Sequence, residues 1–199
     1  MSEKTKITAT MVKGLRDETG ASIMDCRHAL LEAAGDIKKA KELLRAKGKE
    51  RAVKKSDRET GQGTIAAYIH SNKQVGAMIE LVCETDFVAK NTEFQELAYD
   101  ISMHVAAMDP KYLSIDNVSE EEKEKFEHII REELVSENKP EEIVEKIVSG
   151  KIKKHFEELS LLNQAFIKDG DVSVDDLIKE KIAKIGENIQ IKNFVRFKI

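Results

Sequence analysis

Between Ile7 and Lys49 the apolar side chains recur every three or four residues, in stretches punctuated by Gly20 and Gly35. That spacing lines one face of a helix, so the segment predicts three short helices. Thr8 is the candidate N-cap of the first, with Ile7 and Val12 placed as a hydrophobic staple, and Gly20 ends it. Ser22 caps the second, with Asp25 as its capping-box acid and Ile23, Cys26, Leu30 and Ala33 as its inward stripe. Gly35 stops that helix and Asp36 caps the third, whose stripe is Ile37, Ala40, Leu43 and Leu44. From Thr64 the period changes to two. Ile65–His70 and Val75–Glu84 read as strands joined by a hairpin loop at 71–74, and Ala77, Ile79, Leu81 and Cys83 share a face. A third strand ends the chain, where Ile189, Ile191, Val195 and Phe197 alternate with Gln190, Lys192, Arg196 and Lys198. The sequence between is mainly helical: one helix carries Phe94, Leu97, Ile101, Val105 and Met108. Others are expected near Ser119–Ser136, Glu141–Ser149 and Val174–Ile185.

These elements predict an α+β protein. Residues 1–49 form a three-helix module of the ubiquitin-associated-like type, a small surface suited to binding other proteins. Residues 50–63 form a basic linker. Residues 64–199 form a small antiparallel sheet of about three strands packed with helices. The basic run Lys47–Arg58 lacks a broad apolar face and has no interleaved aromatic, so it reads as a helical, solvated linker rather than a nucleic-acid patch.

Composition changes this picture only by exclusion. The formal net charge is −4, whereas a protein that wraps nucleic acid usually carries a basic excess to neutralise phosphates. No direct nucleic-acid partner is expected. The apolar runs fall far short of the roughly 20 residues of a membrane span, and Met1–Lys4 is polar and charged, with no signal-type run behind it. Cys26 and Cys83 cannot frame a disulfide-rich fold of this size, and each stands where a small apolar side chain serves. A reduced cytoplasmic protein is expected.

No catalytic constellation emerges. His28, His70, His104, His128 and His155 have no second histidine or cysteine at metal-ligand spacing, so no metal site is expected. His104 lies beside the apolar stripe of its helix. No nucleophile elbow or dinucleotide fingerprint is present. Gly48-Lys49 and Gly150-Lys151 lack both the preceding glycine and the following Ser/Thr of a phosphate-binding loop. No cofactor and no enzyme are expected, and any nucleotide involved is held by another protein.

One connector resists a purely structural explanation. Thr92-Glu93-Phe94-Gln95 reads as a capping box, so a helix begins there, and the strand before it ends near Glu84. Between them Phe87 stands beside Asp86. It either tucks under the sheet or points outward as an anchor for a partner's pocket. On an extended strand Glu84 and Asp86 would share a face, which leaves a weak cation site as a further reading.

The segment Cys83–Asn91 (CETDFVAKN) closely resembles the signature of the elongation factor Ts family. Thr19–Cys26 (TGASIMDC) and Ala183–Ile189 (AKIGENI) are similar to two further family motifs, in the expected order over most of the chain. The resemblance implies an exchange factor that binds elongation factor Tu, GDP-bound and nucleotide-free, and speeds GDP release. It implies that Thr85, Asp86, Phe87 and Val88 form the wedge that disturbs the partner's magnesium region. It also implies that Arg16, Ile23 and Met24 touch the partner's nucleotide domain. Periodicity places Met24 outward but Ile23 inward. The chain is much shorter than the family's long form, and short forms tend to pair, so a homodimer is expected. Val195 stands where some members have a cysteine, which excludes a covalent dimer through that position. Ala165 replaces a proline common in short members and puts the local turn in question. The alternative is a ubiquitin-associated-like scaffold without exchange activity.

Overall fold

A computed structural model describes residues 7–134 and 140–199. The expected end of one helix at Ser136 and the polar Met1–Lys4 lie outside those residues. Helix α1 spans Ala9–Thr19, α2 Ile23–Glu32 and α3 Ile37–Val53. The three caps act as expected, with Thr8, Ser22 and Asp36 side chains accepting from Met11, Asp25 and Lys39 N–H groups. Gly20 closes α1 in the left-handed region at φ 67°, and a Cβ there would meet Lys184 Cε at 2.8 Å. Val12, Leu15, Cys26, Ala29, Leu30, Ala33, Ala40 and Leu44 form one buried cluster, with Ile7 and Leu43 packed against it.

Two of the expected stripe residues are not in this core. Ile23 and Ile37 are exposed. Each is the first residue of its helix, and the apolar face continues there past the end of the cluster. The basic run is helical through Val53, as expected, but not wholly solvated, because α3 buries Gly48 and Ala52 there.

Strand β1 (Gln62–Ile69) and β2 (Val75–Cys83) form the expected hairpin, closed by His70 N–H donating to Val75 O at 2.8 Å. A one-turn helix α4 (Asp86–Ala89) follows, then α5 (Thr92–Met108), α6 (Glu120–Leu134) and α7 (Glu141–Leu159). The chain continues through a two-stranded hairpin, β3 (Ala165–Phe166) and β4 (Asp169–Ser173), to α8 (Val174–Ile185) and β5 (Ile189–Lys198). The main sheet is antiparallel in the order β1-β2-β5. Helix α5 begins at Thr92 as expected, but its cap is Asn91 rather than Thr92: Asn91 Oδ1 accepts the Glu93 N–H at 2.8 Å. Asparagine ranks with the best N-caps, and Glu93 turns to Lys184 at 2.7 Å instead of closing a box.

The chain forms two compact units. One comprises residues through Thr64, Val82–Phe94 and Asp176–Gln190, and the other Ile65–Leu81, Gln95–Asp175 and Ile191–Ile199. In the second, α5 lies on one face of the sheet: Tyr68 meets Tyr99 edge to face at 5.9 Å, and Arg196 Nε donates to Ala106 O at 2.9 Å. Ala77, Ile79, Leu81, Leu97, Ile101 and Val105 are buried, whereas Met108 emerges to solvent. The alternation of β5 changes phase at Asn193. Ile189 and Ile191 are buried, but beyond that point the inward positions are Phe194 and Arg196, leaving Val195 and Phe197 exposed.

Candidate partner-binding site

The segment Thr85–Val88 is not an irregular connector but the N-terminal turn of α4. Thr85 is its N-cap, in extended conformation, with Oγ1 accepting the Val88 N–H at 3.4 Å. Four residues are too few for a helix to stand alone, since nucleation costs more than one turn returns. The turn is held from outside. Glu187 accepts the Thr85 N–H at 3.0 Å on one oxygen and the Thr85 hydroxyl at 2.6 Å on the other. The buried Cys83 thiol donates to Thr85 O at 3.2 Å.

On this anchored turn Phe87 points outward and is 83% exposed. Burying it would return roughly 2 kcal/mol, so its outward setting is a cost to the isolated chain. Asp86 pairs with Lys90 at 2.7 Å, and the hydrogen bond from that ammonium lowers its pKa below the ordinary carboxylate value. It is therefore anionic at neutral pH. The paired reading of Glu84 and Asp86 as a cation site is overturned. Asp86 is helical and turned to Lys90, while Glu84 accepts the Asn188 N–H at 2.6 Å and faces Arg58 at 3.4 Å. No group of three or more acidic, histidine or cysteine ligands occurs among the described residues.

The other expected site residues come from the helical module. Arg16 lies in the last turn of α1 and is exposed, its carbonyl accepting the Gly20 N–H at 2.8 Å. Ile23 and Met24 open α2 and are 56% and 57% exposed. Met24 thus faces outward as expected, and the inward placement of Ile23 is overturned. All three line one open cleft of about 660 Å³, together with Arg45, Arg51 and Lys184. The Thr85–Val88 turn is not part of that lining.

One residue that sequence reasoning did not single out, Arg51, joins the capping-box acid Asp25 in fixing the first turn of α2. Asp25 accepts two bonds from the Arg51 guanidinium, at 2.8 and 3.0 Å, and a third from the Ser22 hydroxyl at 2.6 Å. The bond from Arg51, followed by that from Ser22, lowers the Asp25 pKa. Arg51 belongs to the run read as a linker, and no local sequence signal pairs it with a residue 26 positions earlier. No helix among the described residues is long and apolar enough to cross a membrane.

The family model for elongation factor TS matches residues 5–199. The elongation factor Ts of Thermosipho melanesiensis is 53% identical over 193 residues, covering 97% of this chain and 98% of its own length. Those of Carboxydothermus hydrogenoformans and Syntrophomonas wolfei are 50% and 48% identical over 193 residues. They cover 97% of this chain in both cases, and 89% and 90% of the relatives. A match spanning nearly the whole sequence, joined to the anchored outward turn and the two-part fold, decides the assignment. The chain belongs to the elongation factor Ts family, the cytoplasmic, non-enzymatic nucleotide-exchange factors for elongation factor Tu in translation elongation.

Proposed function

We propose that this chain promotes GDP release from elongation factor Tu by pressing Phe87 and Asp86 against the region of the partner that holds magnesium. The observation that carries this reading is the exposure of Phe87 on a turn whose base is fixed by Glu187. A GTPase holds GDP through phosphate contacts bridged by magnesium. A factor that prefers the nucleotide-free shape weakens GDP binding by the same factor that GDP weakens the complex. Each tenfold change requires about 1.4 kcal/mol of differential contact. An aromatic anchor entering a desolvated pocket supplies roughly 2 kcal/mol or more, a useful share of that work. Thr85 and Val88 shape the turn, and Arg16, Ile23 and Met24 grip the nucleotide domain of the partner. The factor makes and breaks no covalent bond and holds no cofactor.

Stopped-flow release of a fluorescent GDP analogue from purified elongation factor Tu tests the wedge. Phe87→Ala and Asp86→Ala should each slow stimulated release about tenfold or more, with unfolding midpoints near the parent value, since both side chains are solvent-facing. Parental stimulation by both variants would refute the wedge. Tight binding unaffected by GDP would instead favour a ubiquitin-associated-like scaffold without exchange activity.

A specific observation supports a homodimer built from residues 64–199 as a dimerisation domain. The sheet face turned away from α5 carries exposed Ile65, Ile69, Met78, Val195 and Phe197, a patch that a monomer gains nothing by displaying.

A further inference from the structure

The three residues Gly186-Glu187-Asn188 form the turn between α8 and β5, and they do more than reverse the chain. Glu187 and Glu84 are exchanged across two backbone segments. The Glu187 carboxylate receives the N–H and hydroxyl of Thr85, and the Glu84 carboxylate receives the N–H of Asn188. Asn188 is almost wholly buried, and its amide donates to Ser56 O at 3.1 Å and Arg58 O at 2.9 Å. Lys55 donates to Gly186 O from the same stretch. Gly186 lies at φ 95°, a conformation that lets the turn present Glu187 and Asn188 in succession.

With Cys83 bound to its carbonyl, every polar atom of Thr85 has a protein partner. Thr85 is adjacent in sequence to the Asp86-Phe87 pair, so Phe87 stands only two residues from the position where a carboxylate grips two donors at once. Charge-assisted bonds of this type are short and hold geometry better than neutral ones. A turn of four residues is too short to hold its direction by its own backbone bonds before it meets a partner, so its anchoring from outside matters.

We propose that Glu187 is a positioning residue for nucleotide exchange: it clamps Thr85 and so holds the Phe87 turn in the orientation that acts on the partner's nucleotide site. The inference rests on the wedge reading of Phe87. Pre-organisation removes the ordering cost that a loose turn would incur during exchange, when the wedge is engaged. Loss of the clamp therefore lowers the maximal stimulated rate. It leaves the concentration needed for half-maximal stimulation nearly unchanged, because the grip of the helical module is intact.

The test uses the full chain in the same stopped-flow assay, over a range of factor concentrations, with Glu187→Gln, Thr85→Val, their combination, and Phe87→Ala. Glu187→Gln should lower the maximal rate roughly tenfold while shifting the half-saturating concentration less than about threefold. Thr85→Val removes the same hydroxyl bond from the other side, so the double variant should be no slower than the slower single one. Additive losses, or a fall in rate that tracks only the thermal midpoint, would mark general destabilisation and overturn the clamp. Full stimulation by Glu187→Gln with Phe87→Ala impaired overturns the clamp and leaves the wedge standing. Full stimulation by Phe87→Ala overturns the wedge, and the clamp with it.

Discussion

His104 is fully buried on α5, with both ring nitrogens committed. Nδ1 accepts the Ile167 N–H at 3.2 Å, which leaves the ring proton on Nε2, facing Gln164 Oε1 at 3.0 Å. Gln164 in turn donates to Glu158 O at 2.8 Å. This network settles the turn at Ala165: the segment without proline enters β3, held by His104 and Gln164. Charging the ring would break the Ile167 bond and bury a cation, so burial pushes the His104 pKa below its ordinary 6.5. Because the unfolded chain then takes up a proton that the folded one refuses, stability is complete above about pH 6.5 and declines as pH falls through and below that value. Urea midpoints should be flat near neutrality and drop between roughly pH 6.5 and 5. His104→Leu should be less stable throughout but lose most of that slope; an unchanged slope would place the acid sensitivity elsewhere. Burial of this histidine was only half legible in the sequence, which put it beside a stripe without its partners 60 and more residues away. Ile23 failed for a related reason, since periodicity gives a face but not where the core beneath it ends.

At the scale of elements, Gly150 shows what a glycine signal conceals. The sequence ends a helix at Ser149 because glycine often terminates one. Yet α7 runs on to Leu159, and Gly150 has none of the positive φ that marks Gly20. A Cβ built there meets nothing within 4 Å. Replacing it with alanine should therefore stabilise the chain by about 0.5–1 kcal/mol, seen as a higher urea midpoint at unchanged m-value. A loss of stability would mean that this part of α7 is not helical in solution. The β3–β4 hairpin was invisible for the opposite reason: with two and five residues, neither strand shows enough alternation to register. The two long strands and α5 were legible because their inward faces are continuous. The switch of phase in β5 was not, because it depends on Arg196 reaching Ala106 and Asp109, residues distant in sequence.

That phase switch has its consequence at the scale of the whole molecule. Had Ile189, Ile191, Val195 and Phe197 stayed on one side, the open face of the sheet would carry Lys192, Phe194 and Arg196 beside Glu80. Instead Lys192 pairs with Glu80 at 3.2 Å, Arg196 turns inward, and Val195 and Phe197 join Ile65, Ile69 and Met78 outside. Ile69 and Phe197 are 70% and 68% exposed. One ion pair amid large apolar side chains on an open sheet face suits packing against the same face of a second copy, as in an aligned sheet-on-sheet contact. Such a contact needs about 800 Å² from each partner, within reach of three strands. Ile69→Asp combined with Phe197→Asp should convert a dimer at tens of micromolar chain to a monomer in sedimentation equilibrium. Because both positions are solvent-facing, the monomer's own fold should be little affected, with far-UV dichroism unchanged. A parent chain that sediments as a monomer, or a double variant that remains dimeric, would remove this face as the interface. Without the cysteine that some members carry, a dimer formed through that face would be held by packing alone, so the proposed pairing predicts dissociation of the parent chain on dilution.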